Sequence, residues 1–229
     1  MSKASPQKSS RSVVEQKSSA LSAVYLDVRS GIVELLNAAR QAAARHVNSL
    51  MTASYWEIGR RIVEAEQKGK RRAGYREQLI ERLSADLTQQ FGRGFSSRNL
   101  DQMRQYYLKW TIPQTVSAEL GWAELANAFA LPWSAYVRLL SVKDEHARQF
   151  YEVEALRGGW SVRQLDRQIG SQFYERTALS KNKASMLTKG AIAKPEDAIS
   201  PDEAVKDPYM LEFLNLKDEY SQQALTTSA

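Results

Sequence analysis

The sequence predicts an all-α, mainly helical protein, folded as a helix-turn-helix or winged-helix-like bundle with room for a minor β wing near residues 110–120. Three observations lead there. Apolar residues recur at helical spacing along most of the chain, and no run alternates apolar and polar residues long enough to mark a strand. Two stretches also read alike: Gly94-Phe95-Ser96-Ser97-Arg98-Asn99-Leu100-Asp101 and Gly159-Trp160-Ser161-Val162-Arg163-Gln164-Leu165-Asp166. Each copy sets a Ser where it can cap a helix by accepting from the backbone N–H of the third helical residue, with an aromatic before it and a Leu beyond. Each also follows a helical run broken by glycine, so the chain twice writes helix, tight turn, capped helix, with Arg at the exposed entrance of the second helix.

The elements follow in order. Residues 1 to about 20 are rich in Ser and Lys and poor in large apolar groups, the composition of a disordered arm. From Val24 the spacing turns helical: Ile32, Leu35, Leu36, Ala39 and Ala43 form one face, and Leu50, Tyr55, Ile58 and Ile62 continue it past Asn48, as two helices or one long bent one. Gly59 lies inside this run, where its use is the close approach of a neighbouring helix. Lys68-Gly69-Lys70-Arg71-Arg72-Ala73-Gly74 is a basic loop, and residues 75–91 form a bracing helix with Leu79, Leu83 and Leu87 on one side.

The first capped helix turns Leu100, Met103, Tyr107 and Trp110 toward a core and Arg98, Gln102, Gln105 and Lys109 outward. Further helices are expected around residues 118–129, 134–142, 144–157 and 161–177. The last has Leu165, Ile169 and Phe173 on its core side, Arg163, Arg167 and Tyr174 outside, and Gly170 loosening its middle. The resulting organisation is a helical domain over residues 21–178 holding two helix-turn-helix-like units (75–110 and 144–177). A linker over 179–208 lacks sustained periodicity, and a short helix and tail fill 209–229.

Charge points to a polyanion. The formal net charge is +6, but residues 1–110 carry nineteen basic and ten acidic side chains, whereas residues 111–229 carry thirteen and sixteen. From Lys68 to Lys109 ten Lys or Arg face four Asp or Glu, so the field concentrates around the better helix-turn-helix unit. Cysteine is absent, which excludes disulfides and thiolate metal sites and fits a reducing cytoplasm. With His46 and His146 the only histidines, no catalytic or metal cluster and no cofactor are expected. No apolar run has the length of a membrane span, and the N-terminus lacks the apolar middle of a secretory signal.

Several segments resemble the N-terminal domain of the YhcG-type nuclease family. They are Tyr55-Trp56-Glu57-Ile58-Gly59-Arg60-Arg61-Ile62-Val63, Ile80-Glu81-Arg82-Leu83-Ser84-Ala85-Asp86-Leu87, Gly92-Arg93-Gly94-Phe95-Ser96-Ser97-Arg98-Asn99-Leu100, Leu131-Pro132-Trp133-Ser134, the stretch from Gly159 to Ile169, and Asp207-Pro208-Tyr209-Met210-Leu211-Glu212-Phe213-Leu214. The resemblance runs from about residue 30 to 220. It implies a helical, winged-helix-like DNA-binding module that in the family precedes a PD-(D/E)xK nuclease domain. That nuclease needs an acidic residue and an acidic-x-Lys pair on adjacent strands to hold a divalent metal. Here Glu66-Gln67-Lys68 satisfies the tripeptide only at a helix end, Asp202-Glu203 and Asp218-Glu219 read as linker and helix-end charges, and the sequence stops at Ala229 near where the nuclease would begin. The expectation is a chain without hydrolytic activity of its own.

The functional expectation is therefore a DNA-binding, targeting module for double-stranded DNA. Lys70, Arg71, Arg72 and Arg93 neutralise phosphates, Arg98, Asn99, Gln102 and Gln105 approach base edges, Lys109 adds a phosphate contact, and Arg163 and Arg167 supply secondary ones. The alternative is a helical protein–protein interaction module docking a nuclease or restriction-type partner, which exposed Trp and Tyr would anchor.

Overall fold

Capping and glycine chemistry set the helix boundaries. In the computed structural model, which describes residues 8–68, 74–110, 121–199 and 207–214 (without the side chains of 8–23, 122, 123 and 191), the described residues form ten α-helices, one 3₁₀ turn and no strand. In chain order these are α1 (Lys8–Lys68), α2 (Tyr75–Phe91), α3 (Ser97–Lys109), α4 (Trp122–Asn127), α5 (Trp133–Leu140), α6 (Glu145–Gly158), α7 (Val162–Gly170), α8 (Phe173–Leu179), α9 (Lys183–Ala191), the 3₁₀ turn Pro195–Asp197, and α10 (Pro208–Phe213). The expected β wing and the basic loop residues Lys70, Arg71 and Arg72 lie outside the described residues.

The chain divides into two units, residues 1–43 and residues 44–229. In the first, α1 is already helical from Lys8, inside the stretch whose composition reads as an unstructured arm. The apolar face read there from the spacing is open: Ile32, Leu35 and Leu36 are each more than half exposed. In the second unit the same helix is deeply buried, with Met51, Ala53, Tyr55 and Trp56 all 1% exposed or less.

The core of the second unit is aromatic. Tyr106 of α3 is its hub, with ring centroids 4.8 Å from Tyr136, 5.1 Å from Trp110 and 5.3 Å from both Phe129 and Trp133. Burial lifts its phenol well above the ordinary range. Trp56 of α1 packs edge-on against Tyr107 and donates its indole N–H to the carbonyl of Trp110 at 2.6 Å. The close approach expected at Gly59 is present: a Cβ there would fall 2.1 Å from the carbonyl oxygen of Met103, so α1 and α3 touch backbone to backbone. Arg104 and Glu66 pin the same two helices with an ion pair at 2.7 Å.

A second aromatic group holds the later helices. Phe150 meets Tyr151, Phe173 and Tyr174, and Trp160 meets Phe173. The single helix expected over residues 161–177 is two, α7 and α8, separated at Gln172, whose φ of 52° breaks helical geometry two residues after Gly170. The segment read as a linker carries α9 and the 3₁₀ turn. Asn182 caps α9, and the Gly190 carbonyl accepts from the buried amides of Gln164 and Gln168. Met186 and Leu187 pack on the core beside these polar contacts, a footing too short to show as sustained apolar periodicity.

Candidate nucleic-acid interface

The candidate site is built at the turn between α2 and α3. Gly92 and Gly94 adopt φ of 84° and 101°, a region closed to most side chains, and they bracket the exposed Arg93. Ser96 then caps α3 by accepting from the N–H of Asn99 at 3.3 Å. Ser161 caps α7 in the same way, accepting from Gln164 at 3.1 Å, so the two sequence copies share one local geometry.

The first turn of α3 opens into a cleft of about 710 Å³. Arg93, Ser96, Arg98, Asn99 and Gln102 line one side; Ser134, Val137 and Arg138 of α5 line another, and Val162 at the start of α7 and Tyr209 and Glu212 of α10 complete it. Arg93 and Arg98 form no hydrogen bond or ion pair among the described residues, whereas Arg138 stands 3.4 Å from Asp166 in a half-exposed pair. Asn99 is 6% exposed; its amide N–H donates to the Gly94 carbonyl at 2.6 Å, while its side-chain oxygen is buried without a hydrogen-bond partner.

α10 closes the far wall. Asp207 caps it by accepting from the N–H of Tyr209 and also accepts from the Ser134 hydroxyl at 3.2 Å. Burial raises the Tyr209 phenol above its usual value, with Asp207 and Glu212 reinforcing the rise and Arg98 and Arg138 opposing it. The buried hydroxyl of Tyr55 lies close to Gly94 and has no hydrogen-bond partner; burial first, then the carboxylate of Glu212, pushes its pKa far up. Both phenols therefore keep their proton, and the Tyr209 hydroxyl at the cleft wall can donate a hydrogen bond to an acceptor.

The other residues singled out in the sequence are placed elsewhere. Gln105 donates to Asp101 at 2.6 Å, and Lys109 donates to the Leu140 carbonyl at 3.2 Å, near the opposite end of α3. Burial, then Arg148, lowers the Lys109 pKa. Arg163 donates to the Ala198 carbonyl at 3.1 Å. Arg167 grips the buried carboxylate of Asp197 in a forked ion pair, a structural use of its charge. Glu66 of the Glu66-Gln67-Lys68 tripeptide is engaged by Arg104. Sequence reasoning did not single out Ser134, Arg138, Tyr209 or Glu212. The only trace of them is that they fall in or beside segments that carry the family resemblance.

Among the described residues no group of three or more His, Cys, Asp or Glu is placed to hold a metal ion, and no helix is long and apolar enough to cross a membrane.

Among the described residues the chain is thus an all-helical module with a guanidinium-lined cleft at a capped helix entrance. The chain belongs to the family of the DUF1016 N-terminal domain, whose model matches residues 31–176. It is 51% identical over 230 residues to the "Putative nuclease YhcG" of Escherichia coli (strain K12), with 91% of this chain and 61% of that protein covered. The chain thus spans about three fifths of the length of this relative. No solved structure matches it.

Proposed function

We propose that the chain binds double-stranded DNA through the α2–α3 cleft and serves as the targeting module of a YhcG-type nuclease. The observation that carries this reading is the convergence of Arg93, Arg98 and Arg138 on one cleft into which the N-terminus of α3 opens. Guanidinium groups fit phosphate oxygens bidentately, and the free N–H groups of a helix entrance favour the same charge. Glu212 is the one acidic residue among those lining the cleft.

The same geometry supports a particular docking mode. α3 is hemmed in by α1 at Gly59 and Glu66 and packs against α2 and α5, so its first turn, and not its length, faces the ligand. Arg93, Arg98 and Arg138 take phosphates, and Gln102, one turn into α3, approaches a base edge. Lys70, Arg71 and Arg72, outside the described residues, are proposed as further phosphate contacts from their sequence alone. The relative in Escherichia coli is named a nuclease, which suggests what such binding would serve, namely delivery of a cleaving domain to DNA.

An electrophoretic mobility shift with a random-sequence duplex at low salt tests the proposal. A shift that Arg98→Glu and Arg138→Glu each weaken supports it. Absence of any shift overturns it, and a duplex affinity that does not fall as salt rises counts against the phosphate contacts assigned here.

A further inference from the structure

We infer that residues 24–42 of α1 form a self-association seam, covered by the same stretch of a second copy of this chain. Tyr25, Val28, Ile32 and Leu35 follow one another at intervals of three and four, and Ala39 and Ala42 continue the series. This alternation of three and four is the spacing of a coiled-coil seam, carried here over about two and a half heptads. Val24 and Leu36 flank the seam, and Asp27, Ser30, Glu34, Asn37 and Gln41 lie away from it, with the apolar Leu26 and Val33 among them. The pattern is that of a helix with a dry face and a wet face, yet the dry face is bare: Tyr25 is 66% exposed, Leu35 68%, Val28 54% and Ile32 52%.

Two features select a second copy as the occupant. Covering these side chains, their flanks and the alanines would remove on the order of 800 Å² from each chain, one side of a standard stable interface. The seam also carries no charge, and its flanking positions carry only Arg29, so identical helices meet without like charges opposed across the contact. Packing against its equal would bury the apolar surface that this helix, with Gly31 inside it, leaves open.

Sedimentation velocity of the purified chain from low micromolar concentration upward tests the inference. A mass rising to that of two or more chains, abolished by Ile32→Lys and by Leu35→Glu but kept by Glu34→Lys on the polar side, supports it. Because the chain has no cysteine, Leu35→Cys and Tyr25→Cys variants give an independent reading. Oxidation should link two chains through either position, or through a mixture of the two variants if the helices run antiparallel, and leave a Glu34→Cys control unlinked. A single-chain mass at every concentration, or assembly indifferent to Ile32→Lys and Leu35→Glu, overturns the inference. Circular dichroism confirms that each variant keeps its helical fold, which is expected because these positions lie on the exposed stretch.

Discussion

Asn99 ties the entrance of α3 to the turn before it, donating its side-chain amide to the Gly94 carbonyl five residues upstream at 2.6 Å. One buried side chain thereby fixes the spacing between Arg93 and Arg98, the two cleft cations that have no other hydrogen-bond or ion-pair partner among the described residues. Asn99→Asp removes the donor and sets a carboxylate in a buried site, so it should destabilise the fold by about 1–3 kcal/mol. Thermal denaturation reads this directly. DNA affinity should fall as well, because both Arg93 and its turn lose their tether.

Charge reversal in the cleft should act on any DNA sequence. Arg98→Glu and Arg138→Glu are expected to lower affinity for unrelated duplexes alike, and each phosphate contact removed by Arg98→Ala should flatten the slope of log affinity against log salt by about 0.9. Gln102→Ala should leave that slope unchanged and alter sequence preference. Salt titrations on a small panel of duplexes separate the two effects.

Gly59→Ala tests the backbone contact between α1 and α3. The added methyl would fall 2.1 Å from the Met103 carbonyl oxygen, so the helices must part. Despite the better helix propensity of alanine, the variant should lose about 1–3 kcal/mol, the usual cost of overpacking. Urea denaturation measures it, and an unchanged midpoint would contradict the packing described.

The Arg167–Asp197 pair predicts an acid-sensitive contribution to stability. Arg167 holds the Asp197 carboxyl below its usual range, helped by the backbone N–H of Lys194 and only partly opposed by burial. A carboxylate with a depressed native pKa stabilises the fold above its unfolded pKa and loses that contribution as pH falls through its native one. Asp197→Asn should therefore cost about 1–3 kcal/mol at neutral pH and progressively less below the ordinary carboxylate range. Melting curves from neutral to strongly acidic pH, for both proteins, give the difference; a constant gap would count against the pair.

Local chemistry was readable from the sequence where it is local. Ser96 and Ser161 cap the helices their spacing indicates, and Gly59 admits the neighbour that a mid-helix glycine implies. Leu100 and Met103 are fully buried as the α3 stripe suggests, yet the hub of the core is Tyr106, one position before the Tyr107 that the spacing favours. Two neighbouring tyrosines both fit a stripe of that width, and only Phe129, in the turn after α4, with Trp133 and Tyr136 of α5 decides between them. Gln164 and Gln168 look like surface residues until the Gly190 carbonyl is placed over them. The cleft was legible on one side only. Arg93, Arg98 and Gln102 lie within one motif, but Arg138 and Tyr209 come from distant segments whose own patterns say nothing about phosphate.

The most direct test of the central claim is fluorescence anisotropy of a labelled duplex titrated with the wild-type chain and with an Arg93→Glu/Arg98→Glu/Arg138→Glu variant across a salt series. The account predicts tight binding at low salt, a linear fall of log affinity with log salt, and near-complete loss in the variant with its fold intact by circular dichroism. Wild-type affinity that is absent at low salt, or equal affinity in the two proteins, would contradict it.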